Sequence, residues 1–171
     1  MACTLTSISL DCELSGVGGI QKFYATDVES ISFETPTGMT LSLTDISLDG
    51  ETTISGLTAS FEEFEGLRAT AGLTETLSMG DRGSNLYTSV LTAGFAKITA
   101  AKQEALKALA SKSKLCVIAL DYNNQYFLVG NEHGAYLSAA NNQTGVAAGD
   151  QNGLSLEITG VAGRPMYQII I

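Results

Sequence analysis

Between Leu67 and Ile98 apolar and small polar residues alternate with a period of two, and no other feature constrains the fold as tightly. In "LRATAGLTETL", Leu67, Ala69, Ala71, Leu73 and Leu77 fall on one face, with Arg68, Thr70, Thr74 and Thr76 on the other. The pattern resumes after the loop "SMGDRGSN" as "LYTSVLTAGFAKI". Successive side chains of a strand point to opposite faces, so these runs predict long strands with one face on a core and one in water.

The same period precedes them. "ETTISGLTASFEEF" continues the pattern, and "SISFETPTGMTLSLTDISL" predicts strand, turn at Thr35–Gly38, strand, punctuated by Pro36 and Gly38. "IQKFYA" (Ile20–Ala25) is a further strand, and residues 1–19 form an irregular N-terminal arm. Its "SGVGGI" places glycines at 16, 18 and 19, which is not the GxGxxG spacing of a phosphate loop, and it reads as a turn.

One helix is predicted, over Thr99–Lys112. Alanine and leucine favour it, Thr99 is its N-cap, and Ile98, Ala101, Ala105, Leu106 and Leu109 form an apolar stripe. Its lysines lie toward the C-terminal end, where the helix dipole favours cations. "LCVIAL" (Leu115–Leu120) follows, continuously apolar, and predicts a strand buried on both faces beneath that helix. "DYNN" (Asp121–Asn124) and "NEHG" (Asn131–Gly134) supply turn chemistry around the strand "QYFLVG", and "AYLSA" is the next strand. "ANNQTGVAAGDQNG" predicts a long polar loop, after which "LSLEITG" and "MYQIII" close the chain as strands. The Ile169–Ile171 run must pair or pack, because a bare apolar edge invites aggregation. The whole reads as one mainly β domain, a sandwich or barrel flanked by one helix.

At 171 residues such a domain buries a core without staples. No window approaches the ~18 apolar residues of a membrane span, and no basic segment followed by an apolar one marks a secretory signal at the N-terminus. Cys3, Cys12 and Cys116 read as free thiols of a reducing compartment, with a Cys3–Cys12 disulfide as the alternative. The net charge of −9 is uneven: residues 1–81 carry 13 acids against two bases, and residues 82–171 carry five acids against seven bases. That asymmetry suits head-to-tail contact between copies, and the acidic total argues against a phosphate-binding surface.

Residue types that catalysis uses cluster in one stretch: Cys116, Asp121, Glu132 and His133. A nucleophile–base pair must be built on His133, the sole imidazole, with Asp121 or Glu132 as orienter and Cys116 or a serine as nucleophile. But Cys116 sits mid-run in an apolar strand, His133 sits in a turn, and no standard zinc spacing exists. "DYNN" and "GDQNG" resemble fragments of calcium loops without the glutamate that completes one. "FEEFE" (Phe61–Glu65) is either a paired-carboxylate site or an exposed bend, and the bend is favoured. "NQT" (Asn142–Thr144) fits a glycosylation sequon that matters only on a secretory route. The expectation is therefore no catalytic, cofactor-binding or metal-binding residue, and no enzyme.

The order of parts resembles the major tail tube proteins of tailed phages, in particular small tube-like virion proteins of phages infecting Bacteroidota. A "DC…GG(I)" opening is matched by Asp11, Cys12, Gly18, Gly19 and Ile20, and a "D-N-N-G-x-Y-x-L-G" hairpin by Asp121, Asn123, Asn124, Tyr126, Leu128 and Gly130. Tyr122 and Gln125 depart from it, where an Asn/Asp–Gly turn is usual. The resemblance implies a virion protein without cofactors, made in the bacterial cytoplasm and assembled into rings, commonly hexameric, that stack into a hollow tube. Its partners would be copies of itself, other tail proteins, and DNA passing without specific binding, with no membrane insertion. The strands of Thr52–Phe95 would join neighbouring sheets edge to edge. The Gly80–Asn85 loop, the acidic strands of Asp45–Asp81 and the lysine-bearing helix are candidate contact surfaces. Termini and the 140–152 loop would meet the next ring. A capsid decoration or head–tail connector protein, or a non-viral ligand-binding β-sandwich, is the alternative.

Overall fold

The computed structural model describes residues 17–27, 40–42, 52–53, 60–80, 84–130, 133–147, 150 and 152–170. Cys3, Cys12, Glu132, most of the 28–59 region and the centre of the Gly80–Asn85 loop lie outside them. The described chain is mainly β, with one helix and an almost wholly antiparallel sheet. The strands are β1 (Ile20–Asp27), β2 (Thr40–Ser42), β3 (Thr52–Thr53), β4 (Ser60–Glu65), β5 (Gly72–Met79) and β6 (Asn85–Ala96). After the helix α1 (Ala100–Ser111) come β7 (Leu115–Asp121), β8 (Tyr126–Val129), β9 (Ala135–Gln143), β10 (Gly153–Ala162) and β11 (Tyr167–Ile170).

Hydrogen-bonded neighbours run in the order β2-β11-β8-β7-β9-β10-β6-β5, with β1 joining β7 to β4 and β3 beside β4. The path is open at its ends, so the sheet of one chain is not a closed barrel. Among the described strands only β11 and β2 pair in parallel. Ile169 is thus held on both sides, by β8 and β2, and Ile170 by β2, while Ile171 lies outside the described residues.

A long bent ribbon organises the sheet. Leu128 faces Tyr167 and Ala135 faces Gly160 in the same register, so β8–β9 and β11–β10 are two strands of one hairpin, bent between Val129 and Ala135. Gly130, at φ +85, makes the bend. Below it β7 flanks β8, and β1 covers the other edge of β7; above it β6 flanks β10. The bend turns these halves onto one core. Phe23 and Ala25 of β1, Val117 and Ala119 of β7, Leu91 and Ala93 of β6, and Leu156 and Ile158 of β10 form a single buried cluster. Phe23 stacks on Phe64 of β4, ring centroids 4.9 Å apart. The other face of β7 is buried too, where Cys116, Ile118 and Leu120 meet Tyr24, Phe61, Leu128 and Ile169. The reading of "LCVIAL" as a strand buried on both faces therefore holds.

The helix sits one residue inside the expected span. The Thr99 hydroxyl accepts the Lys102 N–H at 3.3 Å, and Lys112 closes the far end, paired with Asp27 at 2.9 Å. Two expectations are corrected. No basic residue lies in the last turn. Ala101 is exposed while Lys102 is half buried, its ammonium donating to the carbonyls of Ala96 and Lys97. The helix seats Leu106 and Leu109 against Phe64, Phe95, Leu154 and Leu156.

The alternation at Leu67 also needs correcting. Residues 67–70 are a turn, with Ala69 at φ +65 and both the Thr70 N–H and hydroxyl donating to the Leu67 carbonyl. The strand starts at Gly72. "FEEFE" is not a bend but strand β4, paired with β1. The polar loop after Ala139 is shorter than expected, because β9 continues to Gln143.

Candidate functional site

Among the described residues, Cys116, Asp121 and His133 are not brought together as a nucleophile, base and orienter. Cys116 is fully buried, and burial pushes its thiol up to about 12, so it stays protonated. His133 is exposed in the bend before Gly134. Asp121 lies five positions beyond Cys116 along an extended strand, about 17 Å away at ~3.3 Å per residue. In the folded protein Cys116 should not react with a thiol reagent at pH 8. Measured thiol release before and after adding denaturant checks this, and rapid modification of Cys116 under native conditions would contradict the burial.

Asp121 instead builds its turn. Its carboxylate accepts the N–H groups of Asn123 and Gln125, both at 2.8 Å, and the Asn123 side-chain amide at 2.9 Å. Asn124 takes the left-handed conformation, φ +58, that asparagine tolerates. Asn123 then acts as a strand mimic: its Oδ1 accepts the Val17 N–H at 2.9 Å and its Nδ2 donates to the Val17 carbonyl at 3.1 Å. Gly19, at φ +109, lies against the Tyr122 ring, which Arg68 covers with its guanidinium 5.8 Å from the ring centroid. So the Gly18–Gly19–Ile20 and Asp121–Asn124 segments are brought together, and both serve architecture.

The other carboxylates are similarly placed. Asp150 accepts the N–H groups of Val146 (2.7 Å) and Ala147 (2.8 Å) at the tip of the β9–β10 hairpin, and bonds from Ala147 and Val146 hold it below the usual carboxylate range. On β4, Glu63 pairs with Lys22 at 3.3 Å across the strands. Glu75 accepts the Met166 N–H at 2.7 Å and the Ser89 hydroxyl at 3.3 Å.

The surface with a distinct character is the outer face of the four-stranded sheet β5-β6-β10-β9. The core takes Leu73, Leu91, Leu156 and Ile158 from its packed side. By strand alternation the opposite face carries Thr74, Thr76 and Ser78 of β5, and Thr88, Thr92 and Gly94 of β6. Ser155, Glu157 and Thr159 of β10 and Ala139, Asn141 and Gln143 of β9 lie on it too, together with the apolar Leu86 and Val90 of β6 and Val161 of β10. Among the described residues, Glu157 is its only ionisable group apart from the Tyr136 phenol, and the Ser138 hydroxyl donates to it at 3.0 Å. The face is hollowed into an open trough of about 350 Å³ between Thr70, Gly94, Asn141 and Glu157.

Among the described residues this sheet has two edges without a paired strand, that of β5 beyond Ala71, whose carbonyl accepts the Ile20 N–H, and that of β9, which α1 lies close to. Among the described strands, β5 pairs only with β6, and β9 beyond Ala135 pairs only with β10. Unpaired strand edges are templates for another strand. The hairpin tips project at opposite ends: Gly153 lies beside Ala96 and Ala162 beside Tyr87, so the β9–β10 loop and the β5–β6 loop point apart. Leu77, Met79 and Leu86 near the β5–β6 tip are exposed by 48%, 74% and 46%, and Val146 is fully exposed at the other. Sequence periodicity foresaw the threonine face but not the two edges. Comparison with family models, with curated proteins and with solved structures finds no match for this chain, so its functional reading rests on these surfaces.

Proposed function

We propose that this chain is a structural virion protein whose copies join side by side into rings, hexameric as its resemblance implies, that stack into the hollow tail tube carrying phage DNA. The observation that carries the reading is the sheet β5-β6-β10-β9, with one nearly uncharged polar face and two open edges. Four antiparallel strands put β5 and β9 in opposite directions, so identically oriented copies can add edge to edge with an antiparallel junction each time. Such a contact is heterologous, and it closes into a ring when the rotation permits. Six copies give a barrel of roughly 24 strands, wide enough for an aqueous lumen.

The polar face then lines the lumen and the core lies outside it. A wall of hydroxyls and amides with a few aliphatic side chains (Leu86, Val90 and Val161) and, among the described residues, one carboxylate per copy offers no cation to hold a phosphate, so DNA slides without binding. Most of the acids between Asp45 and Asp81 are elsewhere, on β4 or outside the described residues. The packing of the two halves on a common core, with α1 beside it, fits a tail-tube type of sandwich. In this reading the chain performs no chemistry and needs no metal or cofactor. The hairpin tips at opposite ends supply contacts between rings.

Negative-stain microscopy of the purified protein at rising concentration tests the proposal. Rings or tubes of uniform width are the expected result. A strict monomer that also fails to add to preformed tubes refutes it, and points to a decoration or connector protein. The open trough favours a second reading, a ligand-binding module, which predicts the same monomer plus saturable binding of a small polyhydroxyl ligand.

A further inference from the structure

We infer that β5 pairs with β9 of the next copy with Thr74 opposite Asn141 and Leu77 opposite Leu137. This rests on the tube reading and specifies its junction.

Strand length, the coupled parity of hydrogen-bond phase and side-chain facing, and the covering of Leu77 together favour that register over its two-residue slips. β5 has eight residues and β9 nine, one of which, Ser138, is extra where the β9–β10 register shifts between Glu157 and Ile158. Hydrogen-bond phase comes next. The Gly80 N–H donates to Ser84 and the Lys97 N–H to Asn152, which sets the alternation of every ladder in this sheet. It follows that Leu73, Glu75 and Leu77 turn their backbone N–H and C=O groups outward from β5. Asn142, Ala140 and Leu137 do so from β9. Asn142 then meets Leu73, Ala140 meets Glu75, and Leu137 meets Leu77. Side-chain facing is tied to that phase. Thr74 meets Asn141 and Thr76 meets Ala139 on the polar side, while Leu77, half exposed in one chain, is covered by Leu137 on the packed side. Pairing stops at Ala135, whose edge is taken by Leu115 of β7.

The register also closes a ring. Within one chain Ala139 lies in the same row as Gly72, through Glu157 and Thr92. Across the junction it lies beside Thr76, so each copy climbs four residues, about 13 Å, over four strands spanning about 19 Å. That is a strand tilt of about 35°, inside the range of closed barrels, and it does not depend on the number of copies. The hand agrees. Seen from the packed face with β5 pointing up, the ladder phase puts β6 on its left, so the next copy joins on the right and is carried upward. Right-handed strand twist imposes that sense on a barrel whose packed faces point outward.

Cysteine pairs test the register. Thr74 and Asn141 would form a non-hydrogen-bonded pair, with Cα atoms about 4.5 Å apart, close enough for a disulfide. With Cys3→Ser and Cys12→Ser, Asn141→Cys is combined in turn with Gly72→Cys, Thr74→Cys and Thr76→Cys. After mild oxidation of assembled protein, the Thr74→Cys combination should give covalent oligomers up to a full ring. The other two should give a tenth as much or less. Rings that crosslink mainly through Gly72→Cys or Thr76→Cys overturn the register and leave the tube reading standing. Absence of rings from wild-type protein overturns both. Independently, helical reconstruction of wild-type tubes should show a strand tilt near 35°; a two-residue slip would give about 20° or about 45°, and either value overturns the assignment.

Discussion

Gly130→Ala should be among the most destabilising single-methyl additions in this protein, lowering stability by about 3 kcal/mol or more. Gly130 holds φ +85 at the bend that lays the two halves of the sheet on one core. A Cβ there would lie 2.5 Å from the Ala135 nitrogen and 2.8 Å from both the Gly134 carbonyl carbon and the Leu115 oxygen. All three are backbone atoms, so no side chain can swing aside. Relief requires moving β7 or the start of β9, and Leu115 pairs with Ala135 at that point. In a domain of this size the loss corresponds to a fall in melting temperature of about 6–12 °C. Gly18, with open space around its Cβ position, is the control, and Gly18→Ala should melt near wild type. Thermal denaturation followed by circular dichroism reads both, and equal melting of the two variants would show that the bend tolerates a side chain.

What the sequence reveals here is local physics, and what it hides is strand order. Thr99–Lys112 is legible because a capping threonine, strong helix formers and an apolar stripe agree within fourteen residues. Leu115–Leu120 is legible because six consecutive apolar residues leave no wet face. The Asp121 turn is legible because aspartate and asparagine carry their own backbone partners. The turn at 67–70 is hidden: it contains neither glycine nor proline, and Ala69 adopts φ +65 while the alternation of residue types runs straight through. The end of β9, "ANNQ", reads as loop because its side chains are small or polar and exposed on both faces; it is a strand only because β10 lies beside it. The same non-locality conceals the open edges. That β5 and β9 border one four-stranded sheet follows from β6 pairing with β10, a choice no short window encodes. The threonine face could be read from period two, but that it is nearly uncharged across four strands could not.

Leu77→Pro should abolish ring and tube formation while leaving the fold in place. The ladder phase points the Leu77 N–H away from β6, toward the open edge. Proline removes that donor and places its ring where the next strand must approach, and edge strands tolerate proline when the missing N–H faces solvent. Loss of half-exposed leucine surface and the restriction on Thr76 before the proline should cost about 1 kcal/mol of monomer stability. At each junction the same change removes the ladder bonding of one of the three hydrogen-bonded pairs and the contact with Leu137, and the effect repeats at every junction of the ring. Ser78→Pro, one residue on, makes the converse change. Its N–H faces Leu86 within the chain, so proline there should cost about 3 kcal/mol of stability. Leu77→Ala separates backbone from side chain: it keeps the N–H and should still assemble, at higher protein concentration. Melting curves and negative-stain images of the three variants are read together. If Leu77→Pro formed tubes as readily as wild type, β5 would not be the joining edge, and the polar face would have to meet its neighbour by other means.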